Sequence, residues 1–176
     1  TGIAFWHYLY MRDVWVDTGT SPTVFRYIDW LITVPLQIVE FYLILAAVTV
    51  VGVRVFWKLL VASIVMLLGG YLGETQLVPA MAGFIVGMAG WLYIIYEIFK
   101  GEASQLNENS GNLASQNAFK TIRLIVTVGW AIYPIGYLLG IGEANTPGAL
   151  DIVYNLADLI NKAAFGLAIW AVSYTH

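Results

Sequence analysis

The chain has 176 residues, of which 60% are hydrophobic and 11% charged, with a formal net charge of −3 and no cysteine; its mean hydropathy is +0.76. Soluble domains hold about 45–50% apolar and about 25% charged residues, so this composition excludes one and describes an integral membrane protein. The missing cysteines exclude a disulfide framework and a thiolate metal site, and the small, dispersed charge argues against nucleic acid as a partner.

Long apolar stretches recur, each close to the roughly 20 residues that cross a hydrocarbon core and none with the strict alternation of a membrane β-barrel. The expectation is an all-α membrane protein in one domain over residues 1–176. The first eleven residues, TGIAFWHYLYM, are apolar from the outset and lack the basic start of a signal peptide. They read as the tail of a helix whose beginning is absent. In RDVWVDTGTSPT, the alternating Val14, Trp15 and Val16 beside Thr18 and Gly19 predict a short β-hairpin. Spans follow at residues 24–53, 55–72 and 77–99. Residues 100–116, KGEASQLNENSGNLASQ, read as a solvated, flexible connector. Two more spans, 118–139 and 149–174, complete a set of five beside the stub. Gly69 with Gly73, Gly83 with Gly87, and Gly136 with Gly140 have GxxxG spacing, which serves close helix packing.

Basic residues set the orientation, because short cytoplasmic loops are enriched in Lys and Arg. Arg54, Lys58, Lys100, Lys120 and Arg123 lie at connections on one side, against Arg12 on the other. Glu40 therefore points toward the cytoplasm and Arg26 outward.

The first full span contains FRYIDWLITVPLQIVEF, with ionisable groups in an apolar run. At about 100° per residue, Arg26, Asp29, Thr33, Gln37 and Glu40 fall within about 80° of arc. Asp29 and Glu40 stand about 16 Å apart along the axis, about half the hydrocarbon thickness. Two acids on one line at different depths are what a proton relay needs, and polar residues at such depth are costly enough to imply a function. The last span, NLADLINKAAFGLAIW, carries Lys162 near its middle, with Asp158 four residues earlier on the same face. A mid-membrane lysine must be neutral, paired or covalently modified, and lysine amines form Schiff bases with aldehydes. One such cation with Arg26 would balance Asp29 and Asp158 as a neutral quartet. These residues alone leave open a purely structural ion-pair cluster. In VGWAIYPIGYLLG, Trp130, Tyr133 and Tyr137 share helical spacing around Pro134, which bends the backbone. With Trp30 they could wall a slot-shaped apolar cavity.

Together RYIDWLITVPLQIVE, WAIYPIGY and NLADLINK resemble the microbial (type 1) rhodopsins, and FWHYLYMRDVW with FRYIDW is similar to the proteorhodopsins. The resemblance covers essentially the whole chain. It implies a seven-transmembrane-helix retinal protein, of which this chain holds helices C to G and the end of B. It further implies all-trans retinal bound to Lys162 as a Schiff base, with Asp29 as proton acceptor and counterion. Asp158 would be the second counterion, Arg26 the organiser of charge below them, and Glu40 the cytoplasmic proton donor. His7 would hydrogen-bond the counterion acid. Glu40 must start protonated, in its apolar setting of Leu36, Ile38, Val39 and Phe41, and Asp29 ionised beside cations. Glu143 and Asp151 lie near the outer side but form no evident release pair. Gln37, where leucine is commonest, resembles the blue-absorbing type and implies a role in spectral tuning. Phe84 beside Gly83 occupies the place of the glycine window used by antenna carotenoids, which argues against such a partner. The resemblance also implies a bacterial inner membrane and a homo-oligomer, a pentamer or hexamer. The function expected is a light-driven outward proton pump rather than an enzyme. The alternatives are a sensory photoreceptor, which needs no acid at Glu40, and a retinal-free ion transporter or channel in which Lys162 is only an ion-pair member.

Overall fold

A computed structural model describes residues 2–141 and 147–173. The described residues fold into helices α1 (Gly2–Thr18), α2 (Thr23–Ala46), α3 (Val53–Glu74), α4 (Ala80–Phe99), α5 (Glu102–Asn109), α6 (Leu113–Leu124), a π-helical turn (Ile125–Gly129), α7 (Ile132–Ile141) and α8 (Pro147–Ser173). Five stretches are long and apolar enough to cross a membrane: Thr23–Ala46, Val53–Glu74, Ala80–Asn109, Leu113–Ile141 and Asp151–Ala171. This is a multi-pass membrane protein. Its large apolar side chains face outward in number, among them Phe5, Trp6, Val61, Leu92 and Leu159, as a hydrocarbon solvent permits.

The hairpin expected around residues 14–19 is not present, and the described residues contain no strand. Helix α1 instead runs on to Thr18, where the Thr18 hydroxyl donates to the Val14 carbonyl at 2.7 Å. Gly19 closes it with φ +65° and its N–H on the Trp15 carbonyl at 2.8 Å. A glycine at positive φ serves a helix C-terminus as well as a hairpin turn. The sequence signal is therefore shared, and the helix satisfies its own backbone without needing a partner strand.

The connector expected over residues 100–116 is also ordered structure. Helix α5 buries Ala103, Ser104 and Asn107. Its first turn is tied down by the Glu102 N–H on Glu97 Oε2 at 3.0 Å and by Lys58 Nζ, which lies 2.8 Å from Glu97 and 3.1 Å from Glu102. Asn112 then caps α6 by accepting the Ser115 N–H at 2.9 Å. Polar composition marked these residues as solvated, but small polar side chains on one face let the segment lie against the bundle.

Helices α3 and α4 pack through glycine. A Cβ on Gly69 would stand 2.6 Å from the Gly87 nitrogen, and one on Gly83 would stand 2.6 Å from the Gly73 Cα. No side chain fits there, which accounts for the small residues at four-residue spacing. Gly136 faces the Tyr154 ring. Toward the Lys58 end, a fully buried cluster of Ile38, Phe41, Leu45, Leu59, Ile94, Ile98, Phe119 and Ile122 joins α2, α3, α4 and α6. Phe41 meets Phe119 edge to face, with centroids 5.1 Å apart.

Candidate functional site

Helix α2 brings Asp29 to the centre of the bundle and α8 brings Asp158 and Lys162 to meet it. Lys162 Nζ donates to Asp29 Oδ2 at 2.6 Å and to Asp158 Oδ2 at 2.9 Å. All three are buried: relative exposure is 0% for Asp29, 2% for Asp158 and 7% for Lys162. Two carboxylates around one buried cation have acceptor capacity left over, and a buried acceptor costs free energy unless a donor meets it. Asp29 Oδ1 accepts from His7 Nδ1 of α1 at 2.8 Å. Asp158 accepts from Trp30 Nε1 at 2.9 Å and from the hydroxyls of Tyr8 and Tyr133. The i to i+4 spacing of Asp158 and Lys162 and the 133-residue separation of Lys162 from Asp29 thus close into one cluster.

A cleft of about 110 Å³ opens beside Lys162. Trp30, Gln37, Trp130, Tyr133, Pro134 and Tyr137, expected from the sequence, all line it together with Lys162 and Asp158. Thr33 is buried one turn from Asp29, its hydroxyl donating to the Asp29 carbonyl at 2.9 Å, and does not line the cleft. The cleft is mostly apolar, with the Lys162 amine and the Asp158 carboxylate in its wall and Asp29 behind them on Lys162 Nζ. That donor set suits a long polyene aldehyde, which would condense with the amine and lie along the aromatic walls.

Arg26 takes a different place from the one its helical face implied. Among the described residues no hydrogen bond or ion pair joins it to Asp29 or Asp158. Its guanidinium donates to Asp151, to the Ser21 hydroxyl at 2.9 Å and to Glu74 at 3.4 Å, and it stands over the Tyr154 ring at 4.8 Å. The expected quartet is therefore two clusters. Lys162 sits between two acids, and Arg26 sits between two others nearer the end of α3. Glu40 is half-buried on α2, with Ile38 and Phe41 fully buried beside it. No hydrogen bond or ion pair holds it among the described residues. Glu143 lies outside the described residues, whereas Asp151 is one of the two acids paired with Arg26. Phe84 tilts against Tyr137, centroids 5.5 Å apart, and lines the cleft, while Gly83 is turned toward α3.

Several participants escaped the sequence reading. Tyr8 neighbours His7 on α1, and its phenol was hidden among apolar aromatics. Glu74 looked like a loop acid, yet it accepts from Tyr27 at 2.9 Å as well as from Arg26. Asn161, an amide in mid-span, is as costly there as any polar group, a signal masked by the charge of its neighbour Lys162.

Comparison with known proteins identifies the family. The family model described as bacteriorhodopsin-like protein matches residues 1–176. The chain is 56% identical over 176 residues to the blue-light absorbing proteorhodopsin of Gamma-proteobacterium Hot 75m4, covering 98% of this chain and 70% of that one. It is 54% identical over 175 residues to the green-light absorbing proteorhodopsin of Gamma-proteobacterium EBAC31A08, with the same coverage. The crystal structure of a blue light-absorbing proteorhodopsin from Med12 superposes with a TM-score of 0.84 at 63% identity, over 99% of this chain and 78% of that one. A family model that spans every residue, joined to identities above one half and to the same fold, makes this chain a member of the bacteriorhodopsin-like family of microbial rhodopsins.

Proposed function

We propose that the protein is a light-driven outward proton pump of a bacterial inner membrane, blue-absorbing, with all-trans retinal held covalently on Lys162. The observation that carries this reading is the Lys162 ammonium set between Asp29 and Asp158 in the wall of an aromatic cleft. The names of the proteorhodopsin relatives support it. When bound, retinal supplies a light-driven isomerisation that changes the direction in which the Lys162 nitrogen presents its proton.

The remaining work belongs to the chain's own groups. Asp29 Oδ2, 2.6 Å from Nζ, takes the proton. Asp158 is occupied by its donors Trp30, Tyr8 and Tyr133, which leaves Asp29 as the carboxylate that takes up the proton. His7 on Asp29 Oδ1 fixes that carboxylate's orientation and shares its charge. Glu40, eleven residues along α2 toward the other end, returns a proton to Nζ from the inside, across the apolar ring of Ile38 and Phe41. The distance between the two acids, about 16 Å on the axis, gives the transfer its direction because each acid faces a different side. Arg26, with Asp151 and Glu74, forms the exit end. Trp30, Trp130, Tyr133, Pro134 and Tyr137 orient the chromophore, and Gln37 places an amide dipole beside it for the blue band. The family likeness also supports a homo-oligomer in the membrane.

The test is direct. Membranes containing the protein, given all-trans retinal, should develop a visible band that Lys162→Ala abolishes. Illumination should acidify the medium in an uncoupler-sensitive way, and Asp29→Asn should remove that signal while leaving a band. A band without acidification would leave a photosensor in place of a pump. No band at all would overturn the retinal reading.

A further inference from the structure

The helix that carries Trp130 is broken by a π turn, and two of the backbone carbonyls released there meet side-chain donors. The Trp130 N–H bonds the Ile125 carbonyl at 3.1 Å, five residues back, and so leaves the Val126 carbonyl that an α-helix would have given it. Pro134 has no N–H for the Trp130 carbonyl. The Tyr133 N–H takes that carbonyl at 3.1 Å, and the Gly129 carbonyl loses its helical donor in turn. The Val126 and Gly129 carbonyls are thus released in part-buried positions, where each costs free energy unless it finds a donor.

Each finds one from a neighbouring span. Trp91 Nε1 of α4 donates to the Val126 carbonyl at 3.0 Å. Asn161 Nδ2 of α8 donates to the Gly129 carbonyl at 3.0 Å and also reaches the Tyr133 hydroxyl at 3.5 Å. Gly129 is needed as well, since a Cβ there would fall on the Asn161 carboxamide. The turn is gripped from two sides, one residue from Trp130 and one residue from Lys162. Both Trp91 and Asn161 line the same cleft as Trp130.

We propose that Trp91 and Asn161 are positioning residues that clamp this π turn. They set where Trp130 sits against the cleft and hold α6 rigidly to α7 until the clamp is released. This rests on the proposed function for its consequence at the chromophore, but the clamp itself is a property of the chain alone. π turns are commonly sites where a helix bends, and here the bend has two identifiable latches.

The experiment uses the protein in lipid nanodiscs, with and without all-trans retinal, as wild type, Trp91→Phe, Asn161→Leu and the double variant. Amide hydrogen exchange over residues 125–133 should quicken about two- to tenfold in each single variant, as expected for one buried hydrogen bond lost, with no change in α3. The retinal-bound variants should also show a shifted visible band, which a merely stabilising contact elsewhere would not produce. Trp91→Phe keeps the aromatic bulk, so the test survives if Asn161→Leu fails to assemble. Unchanged exchange across the turn in the retinal-free variants would overturn the clamp, and faster exchange with an unmoved band would overturn its role in seating Trp130. If wild type forms no band with retinal, the proposed function fails, and the retinal-free exchange rates still decide the clamp.

Discussion

Arg26 and Lys162 show how a buried cation is settled by the acids that surround it. Each sits between two carboxylates, Arg26 at Asp151 and Glu74, and Lys162 at Asp29 and Asp158. Removing one member of a buried ion cluster strands the rest, at a cost of about 3–5 kcal/mol, well above that of an exposed pair. Arg26→Gln should therefore lower the thermal stability of the protein in nanodiscs by about that much. Arg12→Gln should change it by under about 1 kcal/mol, because among the described residues Arg12 pairs with the exposed Asp13 at 3.2 Å. Thermal unfolding followed by circular dichroism separates the two cases. A loss at Arg26 no larger than that at Arg12 would show the outer cluster to be energetically idle.

At the scale of elements, the α3 and α4 pairing makes the firmest demand on sequence. Gly83→Ala would put a methyl 2.6 Å from the Gly73 Cα and 2.7 Å from the Gly69 carbonyl, both backbone atoms that cannot swing aside. The helices must then part, and the expected loss is about 1–3 kcal/mol, typical of overpacking. Gly52→Ala, with nothing within 4 Å of the new Cβ, serves as the control and should be near neutral. Equal melting temperatures for the two variants would contradict the close approach. The GxxxG pairs of α3 and α4 were legible because spacing alone specifies them. Helix α5 was not, because its anchor is completed by Lys58, 44 residues before Glu102, which ties Glu97 and Glu102 together. The helix in place of the expected hairpin has a related cause. Gly19 at φ +65° ends either element, and only the ladder of α1 decides which. The Lys162, Asp29 and Asp158 cluster could be read from charge and spacing, whereas the diversion of Arg26 required knowing that Glu74 and Asp151 converge on it.

The whole molecule is polarised between its two ends, and this determines which way a pump of this form would face. Arg26, Glu74, Asp151 and Ser21 gather at one end of the bundle, where Thr23 also reaches Glu74. At the other end Lys58 joins Glu97 and Glu102, and Arg123 lies over Phe99 at 4.4 Å with its N–H on the Ile98 carbonyl. Of the eight basic residues, Arg54, Lys58, Lys100, Lys120 and Arg123 belong to the second end, Arg12 and Arg26 to the first, and Lys162 to the middle. Positive charge near span ends stays on the cytoplasmic side during insertion, so the second end should face the cytoplasm. Because the chain has no cysteine, single cysteines report the topology without background. A membrane-impermeant maleimide should label Thr20→Cys from outside spheroplasts and should label Lys120→Cys only in inverted vesicles. The reverse pattern would place Glu40 toward the outside and turn the proposed proton path inward.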